Sequence, residues 1–104
     1  MPKQPLVLLT ETMFYVLMAF TQGPMCGADA AAFIHQRTSG RVPIGPATLY
    51  TILGKFEKEQ YITQVEMEGR KRTYAITAKG RAAYEAELAR LRQCVADAEG
   101  GTTP

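Results

Sequence analysis

Tryptophan is absent from the 104 residues, histidine appears once (His35) and cysteine twice (Cys26 and Cys94). A structural zinc site needs about four ligands in clustered pairs. With no Cys-x-x-Cys and a single imidazole, no such set can be drawn, so no metal is expected. Two cysteines far apart in sequence do not make a disulfide-dense mini-protein, and free thiols in a reducing compartment are the expectation. Long apolar runs are missing too: Leu6 to Leu9 and Tyr15 to Phe20 are too short to span a bilayer. No basic-then-apolar signal segment precedes the body, so a cytoplasmic protein without membrane contact is expected. His35 sits between Ile34 and Gln36, with neither a nucleophile nor a paired carboxylate nearby in sequence. Nothing supports an enzyme or a cofactor. No repeat of 20–50 residues is visible.

What is present fits one ordinary globular domain, 46% hydrophobic and 21% charged. A chain of this size buries roughly 65% of its unfolded surface, enough for one core and not two. The net charge of +2 is unevenly spread: residues 37–81 hold nine Lys or Arg against four Glu, while both flanks are mildly acidic. A basic middle points to a polyanionic partner.

Periodicity supplies the elements. Thr10 suits an N-cap, with Glu11 in the first turn, and Met13, Val16, Leu17 and Phe20 follow at helical spacing until Gly23-Pro24. A second helix is expected from Gly27 to about Thr38, its alanines leaving room for a neighbouring backbone, with Ser39-Gly40 ending it. Arg41 to Ile44 alternates like a strand stub, restricted to an edge by Pro43. Gly45-Pro46 opens a third helix carrying Leu49, Ile52, Leu53 and Phe56 inward, to about Gln60. Tyr61 to Met67 and Arg72 to Ile76, joined through Glu68-Gly69-Arg70-Lys71, read as a hairpin with a cationic tip. Thr77 caps a last helix whose Tyr84, Leu88, Leu91, Val95 and Ala98 form a heptad-like seam, ended by Gly100-Gly101. Met1 to Pro5 looks frayed, and Leu6 to Leu9 either extends the first helix or packs on a partner chain.

This order is mostly α with a small β-hairpin, an α+β winged helix-turn-helix arrangement. The third helix would enter a DNA groove and the hairpin would lie along the backbone. The exposed row of that helix runs Ala47, Thr51, Lys55 and Lys58, flanked by Thr48 and Tyr50. Short hydroxyls can approach base edges or phosphates, and a tyrosine hydroxyl can reach a phosphate. Glu57 and Glu59 near the helix end would be repelled by DNA, so the N-terminal half should point into the groove. Gly54 costs the helix about 1 kcal/mol against Ala, and suggests a close neighbour there.

Gly45-Pro46-Ala47-Thr48-Leu49-Tyr50 resembles the signature segment of the PadR family of bacterial transcriptional regulators. Thr10 to Phe14, Gly23 to Gly27, Arg70 to Tyr74, and Ile76-Thr77 with Gly80-Arg81 are similar to that family's first helix, the turn after it, its wing and the entry to its last helix. The resemblance runs from about residue 10 to residue 81. It implies a homodimeric winged-helix regulator of the short form, with one C-terminal helix: a repressor of a pseudo-palindromic double-stranded operator, relieved by a small aromatic or hydrophobic effector. DNA contacts would fall on Thr48, Tyr50 and Lys55, with Thr51 beside them, and on Arg70, Lys71 and Arg72. The seam Tyr84, Leu88, Leu91, Val95 and Ala98 would make the dimer. The implied division is a DNA-binding domain over 1–80, a dimerisation helix over 81–99 and a flexible tail over 100–104. Many members have His-Gly-Tyr where this chain has Cys26-Gly27-Ala28, so a ring is missing at the start of the second helix, and no tryptophan is present to line a ligand cavity. Phe14, Tyr15, Met18 and Tyr84 are the candidate ligand residues.

Two further readings follow from the residues. Glu57, Glu59, Glu66 and Glu68 among the cations suit a winged-helix module that docks protein without touching DNA. Cys26, at a turn before a helix whose dipole favours a thiolate, could sense oxidants.

Overall fold

The computed structural model describes residues 9–100. Its elements are α1 (Glu11–Phe20), β1 (Met25–Cys26), α2 (Gly27–Thr38), α3 (Pro46–Lys58), β2 (Ile62–Glu68), β3 (Lys71–Ile76) and α4 (Ala78–Ala98). The three strands form one antiparallel sheet in the order β1-β3-β2. The expected helices all form. The expectations for Met1 to Leu8 and for the tail beyond Gly100 lie outside the described residues.

Two hydroxyl caps start the first and last helices. The Met13 amide donates to Thr10 Oγ1 (3.1 Å), and the Gly80 amide donates to Thr77 Oγ1 (2.9 Å). Each satisfies a helix-start donor that would otherwise lack a partner. The inward stripes of α1 (Met13, Val16, Leu17, Phe20) and α3 (Leu49, Ile52, Leu53, Phe56) meet Ala30 and Ile34 of α2 in one core, which Tyr61, Ile62 and Tyr74 close from the sheet side. A core of this kind loses about 2–5 kcal/mol for each large aliphatic residue cut to Ala.

The strand stub expected over Arg41 to Ile44 does not form. Ser39 (φ 52°) and Gly40 (φ 76°) turn the chain after α2, and Pro43 has no amide for a ladder. Val42 instead plugs the core, its amide donating to Thr38 Oγ1 (3.3 Å). The third strand is the two-residue β1, where Met25 pairs with Tyr74 and Cys26 with Thr73. α3 also stops at Lys58, short of Gln60, which sits at φ 64°. The hairpin turn is tighter than the four residues expected: Glu68 pairs with Lys71 across Gly69-Arg70, and Gly69 takes φ 62° at the first central position, as in a type II′ hairpin.

Gly54 has no close neighbour: a Cβ there would meet nothing within 4 Å. The position that does need glycine is Gly80, where a Cβ would collide with the Tyr61 carbonyl. That carbonyl accepts from the Thr77 amide (2.9 Å), so the first turn of α4 rests directly on the end of the α3–β2 connection.

α4 runs antiparallel to α1. The Phe14 and Tyr84 rings stack at 5.1 Å, and Leu9 and Thr10 border the same hollow as Glu87 and Leu91. Tyr84, Leu88 and Leu91 lean on the core; Val95, 55% exposed, and Ala98 are exposed among the described residues. No helix among the described residues is long and apolar enough to cross a membrane.

Candidate nucleic-acid interface

α3 presents two faces. Its apolar stripe is buried, while Ala47, Thr48, Tyr50, Thr51, Lys55 and Lys58 are all exposed, Tyr50 to 60%. Neither α2 nor α3 has a side-chain cap at its start: Cys26 and Gly45 occupy those positions without a capping hydrogen bond. Their first amides are therefore not taken by side-chain caps, and the positive ends of both helix dipoles favour an anion.

The exposed residues fall on two flanks of α3. On one, a concavity of about 690 Å³ lies between the start of α2 (Cys26 to Asp29), Tyr50 and the wing residues Arg70, Lys71, Arg72 and Tyr74. On the other, a hollow of about 500 Å³ runs between α3 and the start of α1, where Thr48, Thr51 and Lys55 face Thr10 and Thr12. All seven candidate DNA contacts thus border one or the other of two clefts on either side of the same helix. Gly27 permits this: a Cβ there would lie 3.1 Å from Leu53 Cδ1 and 3.4 Å from Tyr50 Cε1, so its bareness lets α2 start against α3. Ala28, the position of the missing ring, lines the first cleft, and so does Asp29, which had not stood out in the sequence. Asp29 sits in the first turn of α2, where its charge suits the helix dipole.

The candidate ligand residues are only partly gathered. Phe14 contacts Tyr84 face to face and Tyr15 edge-on at 5.9 Å, so three rings form one group between α1 and α4. A hollow of about 310 Å³ nearby is lined by Phe14 and Tyr15 together with Leu9, Glu87, Arg90 and Leu91; Met18 and Tyr84 do not line it. Burial pushes the Tyr84 hydroxyl up from its ordinary value, Glu85 adds to this, and Arg37 and Arg92 oppose it.

Glu87 is the residue that periodicity missed. It is buried to 4% exposure within the α4 seam, its carboxylate accepting from Arg90 Nε (3.0 Å) and Nη2 (2.6 Å). Those bonds hold it below the ordinary carboxylate range. Its only sequence signal was the Glu–Arg spacing of three. Cys26 is buried and Cys94 exposed, both free, and His35 is exposed near the end of α2. Among the described residues no group of His, Cys, Asp or Glu is placed to hold a metal.

Several solved structures share this fold. A transcriptional regulator from Clostridium thermocellum superposes with a TM-score of 0.73 at 22% identity, covering 88% of this chain and 92% of that one. A PadR-like transcription factor from Bacteroides fragilis also gives 0.73, at 14% identity, over 88% and 89% of the two chains. Bacillus subtilis PadR in complex with operator DNA gives 0.67 at 19% identity, over 76% and 47%. In sequence, the chain is 34% identical over 84 residues to an uncharacterized 37.1 kDa protein in transposon TN4556 of Streptomyces fradiae, matching 78% of this chain and spanning about a quarter (24%) of that relative. Residues 16–86, from the middle of α1 into α4, match the Transcriptional regulator PadR-like family, and the chain belongs to that family.

Proposed function

We propose that this chain is a homodimeric regulator that binds a pseudo-palindromic double-stranded operator, with α3 in the major groove and the wing on the backbone. One observation carries the reading: Tyr50, on the exposed first half of α3, and the cations Arg70, Lys71 and Arg72 border the same cleft, so a duplex seated on one meets the other. In this reading Thr48 and Thr51 meet base edges, while Tyr50, Lys55 and the three wing cations meet phosphates. The likeness in fold to a PadR bound to operator DNA supports it. Residues 1–80 serve as the DNA-binding unit and 81–99 as the dimer helix. The exposure of Val95 and Ala98 among the described residues supports pairing with a second copy along the seam that starts at Tyr84, Leu88 and Leu91. The dimer acts as a repressor, relieved by a small aromatic or hydrophobic ligand entering beside Phe14, Tyr15, Met18 and Tyr84.

Selection from random duplexes with the purified chain tests the reading, run with and without aromatic carboxylates and phenols. Enrichment of a two-fold-symmetric motif with half-sites a whole number of turns apart is the expected result. Exposed Val65 and Met67 on the wing favour one other reading, a module that docks protein alone. No enriched duplex, together with a specific protein partner retained, would establish that reading instead.

A further inference from the structure

The wing carries two glutamates among its three cations, an awkward mixture for a surface meant to approach phosphates. The strand register resolves it. Cross-strand partners share a face of the sheet. Starting from Ile62 opposite Ile76, β2 alternates regularly to Gln64 opposite Tyr74, and this face is the one that packs on the core. Continued without interruption, the alternation would set Glu66 opposite Arg72 and put both glutamates on that face. It does not continue. A bulge falls between Gln64 and Glu66, leaving Val65 unpaired, and beyond it Glu66 pairs with Thr73, Met67 with Arg72 and Glu68 with Lys71. A bulge of this kind re-aims every side chain that follows it.

The face shared by Arg72, Tyr74 and Met67 is the one turned to the helices, because Tyr74 is buried in the core on that side; Lys71, on the other face beside the turn, reaches the cleft as well. Met67 is 54% exposed there, an apolar side chain with no core to enter. We propose that the bulge at Val65 sorts the wing for DNA: it turns Glu66 to the outer face, opposite Thr73, leaves Glu68 opposite Lys71 beside the turn, and sets Met67 beside Arg72 as an apolar contact to sugar edges or thymine methyls. This rests on the DNA-binding reading above and assigns a contact residue, Met67, within it.

The test exchanges two neighbours, Glu66→Met with Met67→Glu, which preserves composition and net charge and moves one carboxylate between faces. Binding to the selected duplex is followed by fluorescence anisotropy over a series of salt concentrations, and thermal melting is followed alongside. Both positions are exposed, so melting should be unchanged. Affinity should fall roughly tenfold at physiological salt, with the deficit shrinking as salt screens the repulsion. Glu66→Gln alone should stay within about twofold of the parent, since its carboxylate faces away. Should the exchanged chain fail to fold, Met67→Glu and Met67→Gln decide, the first losing affinity and the second keeping most of it. Parent-like binding by Met67→Glu or by a folded exchange variant, or a gain by Glu66→Gln as large as the exchange's loss, overturns the inference. A parent that binds no duplex at all overturns the DNA-binding reading itself.

Discussion

Glu87 shows how a single side chain can be read for stability. An acid at 4% exposure survives in an apolar seam because Arg90 donates two hydrogen bonds to it from one turn on. Neutralising Glu87 weakens both charge-assisted bonds, while Arg90, 45% exposed, keeps its contact with water. The pair also sets a pH dependence. Its folded-state value lies below the ordinary 4.5, so the unfolded chain takes up a proton first as the solution is acidified. The stabilisation is therefore complete above about pH 4.5 and drains away as the pH falls through the lowered value. Glu87→Gln should melt below the parent at neutral pH, and the gap should close in acid. Parallel melting curves from pH 7 to pH 3 check this, and a gap independent of pH would contradict it.

At the scale of elements, the junction between α3, β2 and α4 is held by backbone contact. Thr77 donates its hydroxyl to the Gln60 and Tyr61 carbonyls and accepts from Gly80, while Gly80 leaves room for the Tyr61 carbonyl. Gly80→Ala, which would raise helix propensity at an open position, should here destabilise the chain by about 1–3 kcal/mol through overpacking against backbone. Denaturant unfolding measures it, and a neutral or stabilising result would show that the junction can move apart. This contact could not be read from the sequence, although the elements around it could. α1 and α3 were legible because four apolar residues at helical spacing leave little ambiguity, and Thr10 and Thr77 were legible because a hydroxyl before such a stripe has one obvious use. β1 was not, since two residues carry no period and their pairing arises only once the chain has folded: Met25 meets Tyr74, and Cys26 meets Thr73. The bulge was hidden for a related reason. β2 beyond Ile62 is exposed throughout, so no buried face marks its register.

At the scale of the molecule, the two proposed roles, DNA contact and pairing, fall on separate parts of the chain. The two clefts that flank α3 are built from α2, α3 and the wing with a little of α1, and α4 lines neither of them. Among the described residues that helix divides into a half whose Tyr84, Leu88 and Leu91 lean on the core and an end where Val95 and Ala98 are exposed. The heptad-like spacing was legible, but which of its residues lean on the core was not, since that depends on what packs against α4 once the chain has folded. Val95→Glu should convert the proposed dimer to monomers without altering the fold, because Val95 is already 55% exposed among the described residues. Sedimentation or solution scattering reads the outcome, and a parent that is itself monomeric at micromolar concentration would contradict the proposed assembly.

The most direct measurement of the central claim is the salt dependence of duplex binding by the parent and by Arg70→Ala/Arg72→Ala. Each phosphate contact contributes about 0.9 to the slope of log affinity against log salt on double-stranded DNA. If the wing grips the backbone, the double variant should bind every sequence more weakly, and its slope should be shallower by about 1.8 per subunit for two lost contacts. Equal slopes and equal affinities across the series would mean that the wing does not touch the duplex.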